Sequence, residues 1–395
     1  MGRFVAETRR ISLGPARSGV PEVAARVRQG VWSLGAQLLG ARRGGVYERR
    51  LSDERTLEPF ASLVRAFETA PQHLTTTITG GGLSPLVRIA TQEIGERQGE
   101  VIVCVHGVFT DRTMWRYLAG AMAEQGRNVL LIDLPGCGDS DKPRPTRRNR
   151  ALYAPGALAR RVLAALRSHL RTRKDSPRVR LVAHSLGGAV VIRMFAAAAL
   201  RQEFADVLER VDSMLLLAPL DVAVNKENPD LTRLRRVSNI KIWSARGLGT
   251  LRENLASALL SGCGPDAPVM RREADHKLRV LTHTPSRLAM QAMLHQAVPH
   301  EKGRPRWDKI EPIVAGYSHV SPRTLIVWGE CDEVLPVSMG YKLAAQLPKA
   351  KLVTLPRCGH SLVLEQPREV ARLAERFLCE RTGDKPQPAA EAILV

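Results

Sequence analysis

No stretch of this sequence is apolar for about 18 residues in succession, so a membrane-spanning helix is not expected. The first thirty residues hold no apolar h-region, and Ala6 stands where an N-myristoylation signal needs Ser or Thr. Secretion and lipid anchoring are therefore not expected either. Cysteine is scarce. Six residues, at 104, 137, 263, 331, 358 and 379, form no C-x-x-C pair and show no metal-ligand spacing. In a chain of 395 residues they read as free thiols in a reducing compartment, which makes a cytoplasmic location and no bound metal the expectations. Aromatic residues make up only 4%, and acidic residues are outnumbered, 39 against 59 basic ones, for a net charge of +20. Basic stretches without interleaved aromatics or a recognisable nucleic-acid module do not read as a nucleic-acid surface.

What is present suits a folded globular chain. Apolar and charged fractions are 44% and 25%, and the length allows one large domain or two to three ordinary ones. The positive charge is uneven: residues 141–180 carry 13 basic and 2 acidic side chains, a net of +11. Such a region can touch anionic lipid or an acidic partner, or be a solvated arginine-rich helix face. Residues 1–70 read as a basic, partly helical extension. Val23, Val27, Val31, Leu34 and Leu38 recur at helical spacing, as do Leu57, Phe60, Leu63, Val64 and Phe67. The first of these stretches has the pattern of an amphipathic helix lying on a membrane or a partner, or packing on the main domain. Glu7 and Glu22 argue against an organellar transit peptide.

From Leu74 the pattern turns to strands. Leu74 to Thr79 and Leu86 to Ile89, separated by Gly80-Gly81-Gly82, predict a hairpin. Val101 to Val105, Asn128 to Ile132, Val179 to Ala183 and Val211 to Leu217 are short continuous apolar runs, as buried parallel strands are. Helices are expected between them at Met114 to Ala123, Gly156 to Arg173 and Ala189 to Leu200. That alternation predicts a mainly parallel, doubly wound sheet over residues 71–218. It stops at 219–322, where helical stretches such as Leu251 to Leu260 and Arg287 to Gln296 predict a helical cap. It resumes over 323–382, with strands at Thr324 to Trp328 and Lys351 to Leu355 and helices at Val337 to Leu347 and Leu362 to Leu378. Residues 383–395 read as a polar tail.

The chain is organised around Ala183-His184-Ser185-Leu186-Gly187, where a buried strand breaks into a helix. This is the G-x-S-x-G nucleophile-elbow pattern with Ala183 for the first glycine. A serine hydroxyl needs a base within reach, and the base needs an orienting acid. Such groups gather at the carboxyl ends of the strands in a doubly wound sheet. After the penultimate strand stand Glu330, Asp332 and Glu333; after the last stands His360.

The pieces His106-Gly107, Asp133-x-x-Gly136-x-Gly138-x-Ser140, the serine elbow, Gly329-x-x-Asp332-x-x-x-Pro336 and Gly359-His360 occur in that order, each at a predicted strand end. Over roughly residues 74–380 the chain resembles the α/β-hydrolase superfamily, in its serine-nucleophile, esterase- and lipase-like branch with a cap. The resemblance implies an α/β-hydrolase fold and a triad of Ser185, Asp332 and His360, with Asp332 preferred by its spacing from Gly329. It implies an oxyanion hole of the backbone N–H groups of Val108 and Leu186, and no cofactor. His106 is expected to hold the oxyanion loop in shape, His184 to be a buried and satisfied neighbour of the nucleophile, and Asp133 to shape a nearby loop. His276, His283, His295 and His300 are expected to be surface or packing residues of the cap.

The expected activity is hydrolysis of a carboxylic ester, of a small molecule or a lipid-like substrate, through an acyl-enzyme. A serine at the elbow separates the chain from the epoxide hydrolases and haloalkane dehalogenases, which resemble it but carry aspartate there. Carbon–carbon bond hydrolases, thioesterases, amidases and acyltransferases share the triad and stay open. A different class, a non-catalytic membrane- or partner-binding protein on the same fold, would use the 141–180 region or the amino-terminal helix.

Overall fold

The computed structural model describes residues 60–81, 84–222, 262–265, 267, 271–301 and 304–379. The runs without polar alternation become the centre of one sheet. β3 (Val101–Val105), β4 (Asn128–Ile132) and β5 (Val179–His184) are buried at every residue, and β6 (Val211–Leu217) at all but one. Strands covered by helices on both faces have no solvent side to show, so their sequences do not alternate.

The amino-terminal pair, β1 (Gln72–Gly81) and β2 (Ser84–Ile94), is an antiparallel hairpin, and β2 also runs antiparallel to β4. The other neighbours are parallel. A two-residue ladder, β7 (His300–Glu301) with β8 (Arg304–Pro305), stands apart from the main sheet. With β9 (Arg323–Gly329) and β10 (Ala350–Leu355), the eight-stranded sheet has the order β1-β2-β4-β3-β5-β6-β9-β10. The α/β-hydrolase fold expected from the sequence is the fold observed.

Helices cover both faces. α1 (Ala61–Thr69) packs Leu63 and Val64 into the core beside α2 (Arg116–Glu124). α3 (Pro155–Arg171) and α4 (Leu186–Ala196) lie against each other. The region 219–322 contributes α5 (Arg271–Thr282), α6 (Thr284–Gln296) and α7 (Trp307–Ala315). α5 is joined to the core by the buried ion pair of Glu273 with Arg116, at 2.5 Å. α8 (Ser338–Gln346) links β9 to β10, and α9 (Pro367–Cys379) closes the described chain.

Two expectations need correction. The helix predicted from Leu362 to Leu378 is two helices, Leu362–Glu365 and Pro367–Cys379, because Pro367 has no N–H to continue the first ladder. The helix predicted from Ala189 to Leu200 starts at Leu186, ends at Ala196, and is followed by a separate turn at Ala198–Glu203. The stretches Val20 to Leu39 and Leu251 to Leu260 and the tail from 383 lie outside the described residues.

Much of the basic charge of 141–180 has a structural task. Arg160 pairs with Glu203, Arg167 with Asp206, and Arg173 with Glu93 and Asp175. Arg180 pairs with Glu100 at 2.7 Å, and Arg161 donates to the carbonyls of Thr79 and Pro85. These contacts tie α3 and β5 to neighbouring elements.

Candidate active site

β5 ends at His184, and the chain turns at Ser185 with φ 51° and ψ −119°. A left-handed φ at a non-glycine residue is strained, and here the surroundings hold it. The Ser185 N–H donates to Leu217 O at 3.0 Å, and its carbonyl accepts from the N–H groups of Gly188 at 2.9 Å and Leu220 at 2.8 Å. The turn also needs a bare backbone: a Cβ on Gly187 would lie 2.3 Å from Val105 O. Ala183, the departure from the glycine pattern, is fully buried in the strand.

The loop after β9 brings up Asp332. One carboxylate oxygen, Oδ1, accepts from the N–H groups of Val334 at 2.9 Å and Leu335 at 2.8 Å. The other, Oδ2, lies 2.8 Å from His360 Nδ1, and His360 Nε2 lies 3.1 Å from Ser185 Oγ. With the acid on Nδ1, the proton of a neutral imidazole sits there, and Nε2 presents its lone pair to the serine. Glu330, a competing acid in the sequence, instead accepts from Thr354 Oγ1 at 2.9 Å. Three side chains up to 175 positions apart thus meet in one hydrogen-bonded line. Among the described residues, the N–H groups of Val108 and Leu186 donate to no protein acceptor.

The loop that carries Val108 is held by His106. Its Nδ1 lies 2.7 Å from Gly107 O, and its Nε2 accepts from the Leu134 N–H at 3.0 Å. Both ring nitrogens are used, and burial lowers its pKa, so it stays a neutral brace. Asp133 shapes the next loop: its carboxylate accepts from the backbone N–H groups of Arg112 and Asp139, both at 2.8 Å, and pairs with the Arg112 guanidinium. Ser140 Oγ donates to Asp133 O and accepts from the Ala90 N–H.

His184 is not the satisfied side chain that was expected. Its Nε2 donates to the carbonyl of His360 at 2.8 Å, while its buried Nδ1 has no partner among the described residues. Burial first, and the neighbouring His360 second, push its pKa down to about 3. In the region 219–322, His283 Nδ1 lies 2.9 Å from Ser286 Oγ, His276 faces Asp111 at 3.4 Å, and His295 stacks on His300. Cys263 and Cys358 are buried beside the histidine loop, and burial pushes both thiols up, away from the reactive thiolate.

Sequence reasoning missed Glu365. Its buried carboxylate accepts three backbone N–H bonds, from Gly264 at 2.7 Å, Gly359 at 2.8 Å and Ser361 at 2.9 Å. Burial raises its pKa against the pull of those donors. The His360 N–H donates in turn to Gly262 O at 2.8 Å. The loop that carries His360 is therefore clasped between Glu365 and the segment at 262–264. A faint signal existed: Ser361 and Glu365 resemble a capping box stretched by one residue.

Comparison with known proteins agrees with this architecture. A model of the Alpha/beta hydrolase family matches residues 102–373. The chain is 26% identical over 307 residues to a 2-hydroxy-6-oxo-6-phenylhexa-2,4-dienoate hydrolase of Burkholderia cepacia, covering 76% of this chain and 94% of that protein. It is also 26% identical over 313 residues to a 2-hydroxy-6-oxononadienedioate/2-hydroxy-6-oxononatrienedioate hydrolase of Comamonas testosteroni, covering 76% and 94%. Among solved structures, the 2-hydroxy-6-oxo-6-phenylhexa-2,4-dienoate hydrolase of Rhodococcus sp. strain RHA1 aligns with a TM-score of 0.59 at 19% identity, over 79% of this chain and all of that one. A bacterial membrane phospholipase A aligns with a TM-score of 0.58 at 21% identity, over 91% and 96%. The buried parallel strands, the serine turn and the family match over most of the sheet together make this chain a member of the alpha/beta hydrolase family, and an enzyme of that type.

Proposed function

We propose that the protein hydrolyses a carboxylic ester through an acyl-enzyme on Ser185. The single observation that carries the reading is the continuous line from Ser185 Oγ through His360 to Asp332, at 3.1 and 2.8 Å. In this reaction Ser185 Oγ attacks the carbonyl carbon while His360 Nε2 takes its proton. Asp332 stabilises the imidazolium and keeps the ring turned toward the serine. The N–H groups of Val108 and Leu186 receive the oxyanion, and one such donor contributes about 3 kcal/mol to transition-state stabilisation. The tetrahedral intermediate collapses, His360 returns the proton to the leaving alcohol, and water repeats the sequence to release the acid.

A second reading is hydrolysis of a carbon–carbon bond next to a ketone. It is favoured by the names of the relatives from Burkholderia cepacia and Comamonas testosteroni, which act on 2-hydroxy-6-oxo-dienoates. The same serine would attack the ketone carbonyl, but the leaving group is carbon and must be protonated there. A panel of p-nitrophenyl esters of rising chain length, a thioester, an amide and 2-hydroxy-6-oxo-6-phenylhexa-2,4-dienoate separates the readings. Turnover of the esters at least about a hundredfold above the dienoate, with fluorophosphonate labelling lost in Ser185→Ala, is the expected result. Dienoate turnover above every ester would move the assignment to the second reading. Failure of the wild-type protein to label at all would end both.

A further inference from the structure

Between α4, α6, α7 and the loop at 145–155 lies a cavity of about 870 Å³, within the size range of small-molecule sites. Ser185, Asp332 and His360 do not line it. Its inner wall carries Arg193, two helical turns beyond Ser185, which puts it about 12 Å along the axis of α4 from the nucleophile. Among the described residues, the Arg193 guanidinium makes no hydrogen bond and no ion pair. Burial opposes its charge, and the Tyr317 hydroxyl on the same wall is engaged with Asp221.

A guanidinium does not shed its proton in proteins, so this charge is held in a partly dry place without a counter-ion among the described residues. The rim adds to it. Among the described residues, Arg147, Arg150 and Lys309 line the same cavity without an ion-pair partner, while the one lining carboxylate, Glu301, is taken by Arg306 at 2.5 Å. Within the basic 141–180 region, Arg160, Arg161 and Arg167 of α3 and Arg180 of β5 are consumed by cross-links, whereas Arg147 and Arg150 are exposed at this rim. The rest of the wall mixes the apolar Ala189, Leu288, Ala292, Val298 and Ile313 with polar side chains such as Gln296. An inorganic anion would use the charge and leave those apolar side chains wet; a neutral apolar molecule would leave Arg193 unpaired.

We propose that this cavity binds an amphiphilic anion, a carboxylate or phosphate on an apolar body, with Arg193 as its forked anchor and the rim cations as its attraction field. The site is separate from the serine chemistry and does not depend on it. A guanidinium meets either group with two parallel N–H donors, and the apolar side chains of the wall take the chain.

The test is calorimetric binding of dodecanoate, dodecyl phosphate, inorganic phosphate and the neutral octyl glucoside to the full chain. It uses wild type, Ser185→Ala, Arg193→Met, Arg193→Lys and the exposed-rim double variant Arg147→Gln/Arg150→Gln. Dodecanoate or dodecyl phosphate should bind wild type and Ser185→Ala alike, and whichever binds tighter identifies the anion. Affinity should fall about tenfold or more in Arg193→Met, less in Arg193→Lys, and severalfold in the rim variant. The rim residues are exposed, so that variant reads the proposal even if Arg193→Met fails to fold. Equal affinity of wild type, Arg193→Met and the rim variant would overturn the proposal. So would inorganic phosphate or octyl glucoside binding as tightly as the amphiphilic anions, or binding that disappears in Ser185→Ala.

Discussion

Replacing His184 by Gln should flatten the acid limb of the stability curve. The wild-type imidazole is buried, tilted at 50° against the His360 ring at 4.9 Å between centroids, and burial with that neighbour lowers its pKa from 6.5 to about 3. A base with a lowered folded-state pKa is charged in the unfolded chain first. Its contribution is therefore intact above pH 6.5 and is lost as the pH falls toward 3. At pH 5 the unfolded imidazole holds nearly a full proton and the folded one none. The stability lost through this residue between pH 8 and 5 is then about 2 kcal/mol, from 1.5 pH units at about 1.4 kcal/mol each. His106 and His169 are shifted the same way and steepen the limb in both proteins, so they cancel in the difference. Glutamine can still donate to the His360 carbonyl, which keeps the loop held. Urea unfolding of both proteins at pH 8 and pH 5 measures the effect. Wild type should lose about 2 kcal/mol more than His184→Gln over that interval. Equal losses would refute the reasoning, since they would mean His184 takes up its proton as readily folded as unfolded.

Three further outcomes are expected. Asp332→Asn leaves the loop bonds to one oxygen but lets the imidazole take the wrong tautomer, so kcat on any accepted ester should fall by about 10⁴ with KM little changed; a loss under tenfold would contradict the role given to Asp332. Glu365→Ala strips three buried N–H groups of their acceptor, and at about 1–3 kcal/mol each it should lower stability by at least about 3 kcal/mol and release His360, so that unfolding midpoint and kcat fall together. Gly138→Ala adds a Cβ about 2.0 Å from Asp133 Oδ2 at a φ of 46°; it should break the Arg112–Asp133 pair, and a thermal melt within a degree or two of wild type would count against that packing.

The strands were the most legible part of the fold. Val101–Val105, Asn128–Ile132 and Val211–Leu217 keep the bounds read from their apolar runs, because a strand buried on both faces records its burial at every position. α5 left no such record. Its sequence, RREADHKLRVLT, is mostly polar, and Arg116 across the core holds it through Glu273. The break before α9 lies at Pro367, and the apolar periodicity that continues across it hides the break.

By itself the sequence determined which residue types could react and in what chain order, since strand periodicity and turn chemistry are local and place Ser185, Asp332 and His360 at strand ends. Only the tertiary structure decided that Asp332 rather than Glu330 meets the imidazole, that Glu365 clasps its loop, and that Arg193 faces a cavity. Those facts depend on distances between residues far apart in the chain. They are set by how helices pack on the sheet, which no local window of residues contains.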